Sequence, residues 1–201
     1  MSYKPRDSYY QRAKQEGYRS RAAYKLIELQ ERFRIIKPGD LIVDLGAAPG
    51  GWLQVAARLA GASGKVLGID IQPIETLGAK NILTVQADIT SEDTQQTVKE
   101  LLGGPADCVI SDLAPKLSGI RDADSARCLE LNLAALRAAG RLLKPGGCFL
   151  MKSFVGTEVE TSFGELKKHF RSVQRTRPEA TRRGSSEIYF FAKNFYSISG
   201  A

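Results

Sequence analysis

Residues 41–59 join three signals in a fixed order: a continuous apolar run, Leu41-Ile42-Val43-Asp44-Leu45, a glycine-rich turn from Gly46 to Gly51, and a helical segment over 52–59 that stops at Gly61. A short run that is apolar at successive positions is the pattern of a strand buried on both faces of a parallel sheet. Glycines in the turn let the backbone take positive φ and let a ligand approach it closely. Strand, glycine turn and helix in that order make a nucleotide-binding turn and commit the chain to an α/β sheet.

The rest of the chain keeps this alternation. Upstream, Ala22, Leu26, Leu29 and Phe33 recur at helical spacing with Ser20 as the expected N-cap, and Lys37-Pro38-Gly39-Asp40 makes a turn. Downstream, strands are predicted over 65–71, 82–86, 107–111, 148–152, 172–175 and 188–192. Helices are predicted over 92–102, capped by Ser91, and over 126–143 and 159–170. The expected architecture is a Rossmann-like, doubly wound, mostly parallel sheet. The last two strands have no helix between them, so one antiparallel strand is expected near the C-terminus. Ligands in such sheets sit beyond the carboxyl ends of the strands. The residues after Leu45, Ile69, Ile110 and Met151 are therefore expected to meet.

A chain of 201 residues, 43% hydrophobic, suits one domain: a basic extension and helix over 1–37 and a Rossmann-like core over 38–201. No apolar run approaches the roughly 18 residues of a membrane span. The Tyr-, Lys- and Arg-rich N-terminus has no secretory apolar stretch. Cys108, Cys128 and Cys148 form no C-x-x-C pair, which argues against a metal site and a disulfide framework and fits the cytoplasm. The lone His169, in a polar segment read as helical, is expected to be solvated or capping. The net charge of +7 is unevenly spread. Residues 1–37 carry ten Lys/Arg against four Asp/Glu, and 167–183 carry seven against one, whereas 38–166 has eleven basic and sixteen acidic residues. Basic ends of this kind attract a phosphate backbone, although they also serve plain solubility.

The glycine turn reads Asp44-Leu45-Gly46-Ala47-Ala48-Pro49-Gly50-Gly51-Trp52. A dinucleotide fingerprint would place a glycine at Ala48, and here an acid precedes the first glycine. The departure favours S-adenosylmethionine over a pyrophosphate. Trp52 either touches that ligand or anchors the helix in the core. Asp70, closing the second strand, can accept bonds from both ribose hydroxyls or cap a turn. Asp88, closing the third, can receive the adenine amino group or cap the turn that follows.

Ser111-Asp112-Leu113-Ala114-Pro115 follows the fourth strand and lacks the second proline and the aromatic used for methylating amines. No cysteine neighbours a proline, as a cytosine-carbon methylase would require. Oxygen is the remaining acceptor. Lys152 ends an apolar strand, where lysine is seldom found without a partner. Burial and neighbouring cations would favour its neutral amine, a candidate base, whereas snorkelling would carry it to solvent. Lys25 borders the apolar face of the first helix, and Glu187 opens the last strand.

At these residues the chain resembles the FtsJ family of 2′-O-ribose methyltransferases of large-subunit ribosomal RNA. The resemblance rests on Tyr18-Arg19-Ser20-Arg21-Ala22-Ala23-Tyr24-Lys25-Leu26, on 44–52, on 111–119, on Lys152 and on Arg182-Arg183-Gly184-Ser185-Ser186-Glu187-Ile188-Tyr189. It implies a class I methyltransferase fold and a catalytic tetrad at Lys25, Asp112, Lys152 and Glu187. It implies S-adenosylmethionine contacts at Gly50, Trp52, Asp70, Asp88 and Asp112. Its implied substrate is a uridine in the A loop of 23S-type ribosomal RNA, within the assembled large subunit. The enzyme is expected to act as a monomer without a metal. Other readings of the same residues are a nucleotide-dependent dehydrogenase on the same fold, 2′-O-methylation of transfer RNA or an mRNA cap, and a non-enzymatic ribosome assembly factor.

Overall fold

The computed structural model describes residues 8–115, 118–156, 158–182 and 184–196, and the backbone alone at Arg121. Residues 1–7 of the basic extension, Lys116 and Leu117 after the fourth strand, and Arg183 lie outside the described residues. The elements run α1 (Ser8–Gln15), α2 (Ala23–Phe33), β1 (Leu41–Leu45), α3 (Gly51–Ala60), β2 (Lys65–Asp70), β3 (Ile82–Gln86), α4 (Glu92–Leu102), β4 (Ala106–Ser111), α5 (Arg121–Leu142), β5 (Leu143–Phe154), α6 (Val159–Lys167), β6 (Phe170–Thr176) and β7 (Glu187–Phe195). Among the described residues, seven strands form one sheet in the order β3-β2-β1-β4-β5-β7-β6.

β1 pairs in parallel with β2 on one side and β4 on the other, which is why its residues are apolar without alternation. Val43 and Leu45 join the core under α4, α5 and α6, while Ile42 joins the core under α2 and α3. Strand period two thus feeds both layers. The strand order reverses at β1, opening a crevice beyond its carboxyl end. β7 alone runs antiparallel, to both β5 and β6, so the one expected antiparallel strand is the last.

Several boundaries differ from the sequence expectation for local reasons. Ser20 does not cap α2, which starts at Ala23 with Ala22 before it. Ser20 instead packs on Gly51, where a Cβ would collide with its hydroxyl. α5 begins five residues before the expected Ala126, because the Asp124 carboxylate folds the preceding loop onto the first turn: it accepts hydrogen bonds from the Ser118 and Gly119 backbone N–H groups at 2.8 and 2.9 Å. α6 stops at Lys167, and Phe170 instead opens a strand, its ring 5.3 Å from that of Phe195. His169 therefore lies in a turn rather than in a helix. β5 begins at Leu143, and its register against β4 shifts before Cys108.

α1 has no apolar period and was not expected. It forms against the rest of the fold, with Ala13 packed beside Tyr24 and Ala180. Glu28 accepts the Ala180 N–H at 3.0 Å, Arg21 donates to the Ala180 carbonyl, and Arg32 donates to Thr176. α1 and α2 are thereby tied to the 176–180 segment. Among the described residues no helix is long and apolar enough to cross a membrane.

Candidate active site

The expected convergence at the strand ends is present. Asp112 follows β4, and Lys152 lies near the end of β5, opposite Tyr189 of β7 in the antiparallel register. Glu187 opens β7, two residues before Tyr189, so both project from the same face of the sheet. α2 packs over that face and delivers Lys25. The Lys152 ammonium sits 3.0 Å from Asp112 Oδ1 and also donates to the Asp112 carbonyl. Lys25 Nζ is 2.6 Å from Glu187 Oε2 and 5.9 Å from the centre of the Tyr189 ring. The lysines are only 7% and 6% exposed at 25 and 152, so each charge depends on its carboxylate. The direct partners of Lys152 are the Asp112 carboxylate and carbonyl, and Lys25 pairs with a separate carboxylate. Lys152 does not snorkel.

Tyr189 links the two pairs and was not singled out from the sequence. Its hydroxyl donates to Asp112 Oδ1 at 2.8 Å, its ring lies under Lys25, and it packs 6.1 Å from the Trp52 ring. Burial, then the Asp112 and Glu187 carboxylates, push the phenol well above its ordinary range, so it remains a donor. The available signal was its spacing of two from Glu187 on a strand.

A cleft of about 450 Å³ adjoins this cluster over the ends of β1, β2, β3 and β4. Gly46, Asp70, Asp88, Leu113 and Pro115 line it, with the 70%-exposed Ile71 at its rim. Gly46 has φ of 77°, and Leu113 lies flat on it where a Cβ would collide. Asp70 accepts the Ala48 N–H at 2.9 Å through Oδ2 and the Gln72 N–H at 2.8 Å through Oδ1, tying the glycine turn to β2. Each oxygen retains a lone pair for a ligand. Asp88 Oδ1 accepts both the N–H and the hydroxyl of Thr90 at 2.8 Å, which holds its carboxyl below the usual range and caps the turn.

Gly50, Trp52 and Asp112 are outside the lining of this cleft. Gly50, at φ 111°, precedes α3 against Leu77 and Arg19. Trp52 is buried with its indole N–H donated to the Ala22 carbonyl at 2.8 Å, the contacts of a helix anchor. Asp44 is the acid ahead of the glycine turn in the sequence. It is fully buried, and among the described residues neither carboxylate oxygen has a hydrogen-bond partner. Burial first, then the charges of Asp112 and Asp70, push its carboxyl well above the carboxylate range. Three acids thus sit at the ends of the adjacent strands β2, β1 and β4.

A parallel sheet reversing at β1, a cleft at that reversal and paired lysines beside it define a Rossmann-like methyltransferase. Residues 18–195 match the model of the FtsJ-like methyltransferases. The chain belongs to that family. It is 51% identical over 197 residues to the ribosomal RNA large subunit methyltransferase E of Methanothrix thermoacetophila, covering 98% of this chain and 76% of the relative. It is 45% identical over 192 residues to the protein of the same name from Archaeoglobus fulgidus, covering 96% and 97%. Among solved structures, a Plasmodium falciparum protein described as a ribosomal RNA methyltransferase superposes with a TM-score of 0.81 at 30% identity, covering 90% of this chain and all of that one. Aeropyrum pernix fibrillarin, at 17% identity and a TM-score of 0.61, shares the fold over 87% of this chain and 75% of its own.

Proposed function

We propose that this protein methylates the 2′-hydroxyl of a uridine in the A loop of large-subunit ribosomal RNA, presented by the assembled subunit in the cytoplasm. S-adenosylmethionine is the methyl donor, supplying an electrophilic methyl group on a sulfonium with a neutral thioether as leaving group. The residues present fit it. Three acids, one with both oxygens unpartnered, favour a ligand with a cationic end. Asp70 retains acceptor capacity for the ribose hydroxyls and Asp88 for the adenine amine. Gly50 and Trp52 support the cleft from α3.

The observation that carries the reading is the buried Lys152–Asp112 pair, 3.0 Å apart, at the strand ends beside the cleft. Lys152, after releasing its own ammonium proton to solvent, takes the proton from the 2′-hydroxyl as the oxygen bonds to the methyl carbon. Asp112 fixes the position of Nζ, and Tyr189 fixes Asp112. Lys25 steadies the hydroxyl, while Glu187 orders Lys25. Holding the acceptor oxygen in line contributes much of the acceleration, since positioning can lower a barrier by about 7–11 kcal/mol. Basic side chains of both ends hold the phosphates. The names of the relatives support ribosomal RNA as the substrate class. Ribosomal RNA from cells lacking the protein should lose one A-loop 2′-O-methyl group, regained when the gene is restored. An unchanged 2′-O-methyl map would overturn the proposal.

A further inference from the structure

A second pocket, of about 360 Å³, opens at the ends of β5 and β7, and nothing in the reading above uses it. α5 divides it from the donor cleft. Arg127, Leu131 and Ala134 line the cleft, while Ser125, Cys128 and Asn132 line the pocket, so neighbouring stripes of one helix wall two sites. The pocket reaches the catalytic cluster at two points. Ser186 in its lining precedes Glu187, and the ring of Phe154, also in its lining, is centred 5.9 Å from Lys152 Nζ.

Its chemistry is selective. Among the described residues its lining has no Lys or Arg, while it includes the carboxylates of Asp124 and Glu158. The bonds from Ser118 and Gly119 hold the Asp124 carboxyl below its usual range, so it stays charged. Arg127 pairs with Asp124 at 3.6 Å from outside the lining, so the charges within the lining itself are negative and disfavour phosphate. The lining offers hydroxyls at Ser125, Ser153 and Ser186 to N–H and C=O groups, and an aromatic face at Phe154. The floor is built: the buried Asn132 amide donates to Ser153 Oγ at 2.9 Å and Ser162 Oγ at 3.2 Å. Val155, 60% exposed, forms an apolar rim, as Ile71 does for the cleft. Unstacked RNA bases are held by this combination of an aromatic or apolar face and edge hydrogen bonds. The volume is within the range of small-molecule sites, about 300–1,000 Å³.

We propose that this pocket receives the base of the nucleotide whose ribose lies at Lys152, turned out of the RNA stack. The inference rests on reading the site as a 2′-O-methyltransferase. Donor and acceptor then approach from the two sides of α5 and meet at the Asp112–Lys152 pair.

Ser125→Phe fills the pocket, and Ser125→Ala leaves it open. With saturating donor and large subunits lacking the modification, Ser125→Phe should lower kcat/KM by about 10–100-fold, the scale of one well-held base. Ser125→Ala, which keeps the pocket open and removes one hydroxyl, should lower it less than Ser125→Phe does. Donor affinity by calorimetry should be unchanged in both, because Ser125 lines only the pocket, whereas a general distortion of α5 would weaken it. As a readout without substitution, alkylation of the half-buried Cys128 in wild type should slow several-fold with saturating subunits and not with donor alone. Wild-type transfer by Ser125→Phe, or Cys128 labelling indifferent to subunits, overturns the base pocket while leaving the methyltransferase reading intact. A wild-type protein that transfers no methyl group to any 2′-hydroxyl overturns both.

Discussion

Replacing Lys152 tests the mechanism and the packing at once. Lys152 is 6% exposed, and its ammonium is held by the carboxylate and the carbonyl of Asp112. Alanine removes the proton acceptor and leaves Asp112 bonded to Tyr189. Loss of a general base lowers the rate by about 10²–10⁴-fold. Breaking a fully buried ion pair costs about 3–5 kcal/mol, and the cost here should be at or below the low end because the Asp112 side chain is 19% exposed and keeps its bond from Tyr189. Lys152→Ala should therefore fold with a lowered Tm and bind donor and RNA nearly as wild type, yet barely transfer. Lys152→Arg separates two roles. A guanidinium, with a pKa above about 12, preserves charge but cannot accept the proton. If the amine is the base, both variants fail alike; if it only stabilises the developing oxyanion, arginine retains substantial activity. The assay is single-turnover transfer with saturating donor and unmodified large subunits, alongside thermal melts. Near-normal transfer by Lys152→Ala would refute the role of Lys152 altogether and move attention to Lys25.

Asp70→Ala should weaken donor binding by about 1–3 kcal/mol, the cost of unpaired groups, and affinity unchanged in calorimetry would remove Asp70 from the cleft's function. Asp44 titrates in the unfolded chain near its ordinary 3.8 and well above that when folded, so above pH 4 the unfolded state binds fewer protons and stability falls as pH rises through the window up to the folded value. In the donor-free protein, Asp44→Asn should flatten that fall, and melts with an unaltered pH slope would contradict the assignment. Affinity for large subunits should drop steeply with salt, and neutralising Arg177 and Arg182 together should reduce the slope by roughly two if both meet phosphates; an unchanged slope would place this pair off the RNA path. Tyr189→Phe frees one acceptor site of Asp112 and should lower kcat about 10-fold or more with little change in KM, a split that loss of RNA affinity would not produce.

Contiguous signals were legible without the structure. The run 41–45, its glycine turn and the following helix depend on residues within a few positions of one another, and they appear as β1, the Gly46 turn and α3. The alternation that follows established the doubly wound sheet and, with it, the meeting of Asp70, Asp88, Asp112 and Lys152 at the strand ends. Periodicity is a local property of the chain, so wherever burial imposes a period it can be read directly. Where no apolar period exists, as in α1, which forms against Tyr24 and Ala180, or in the first turn of α5, which is fixed by the bonds of Asp124 to Ser118 and Gly119, periodicity gives no signal.

Pairing is not a local property. Four charged residues were expected to gather, but only the register of β4 against β5, with Ser111 opposite Met151, set Lys152 against Asp112, and only that of β7 against β5 brought Tyr189 to Asp112 and left Glu187 for Lys25, 162 residues away. The packing of α1 and α2 against Ala180 likewise joins segments that are distant in the chain. Asp44 reads in the sequence as one polar residue in a strand. Its isolation follows from complete burial beside two other acids, an environment made by β2 and β4 rather than by its neighbours in the chain. The second pocket has the same origin, since α5 acquires two functional stripes only by crossing two groups of strand ends. The sequence by itself determined which residue types were available and the periods that shape β1, its glycine turn and α3. The tertiary structure decided which charges neutralise one another, because Coulomb and hydrogen-bond energies depend on distances of a few ångströms that chain separation does not encode.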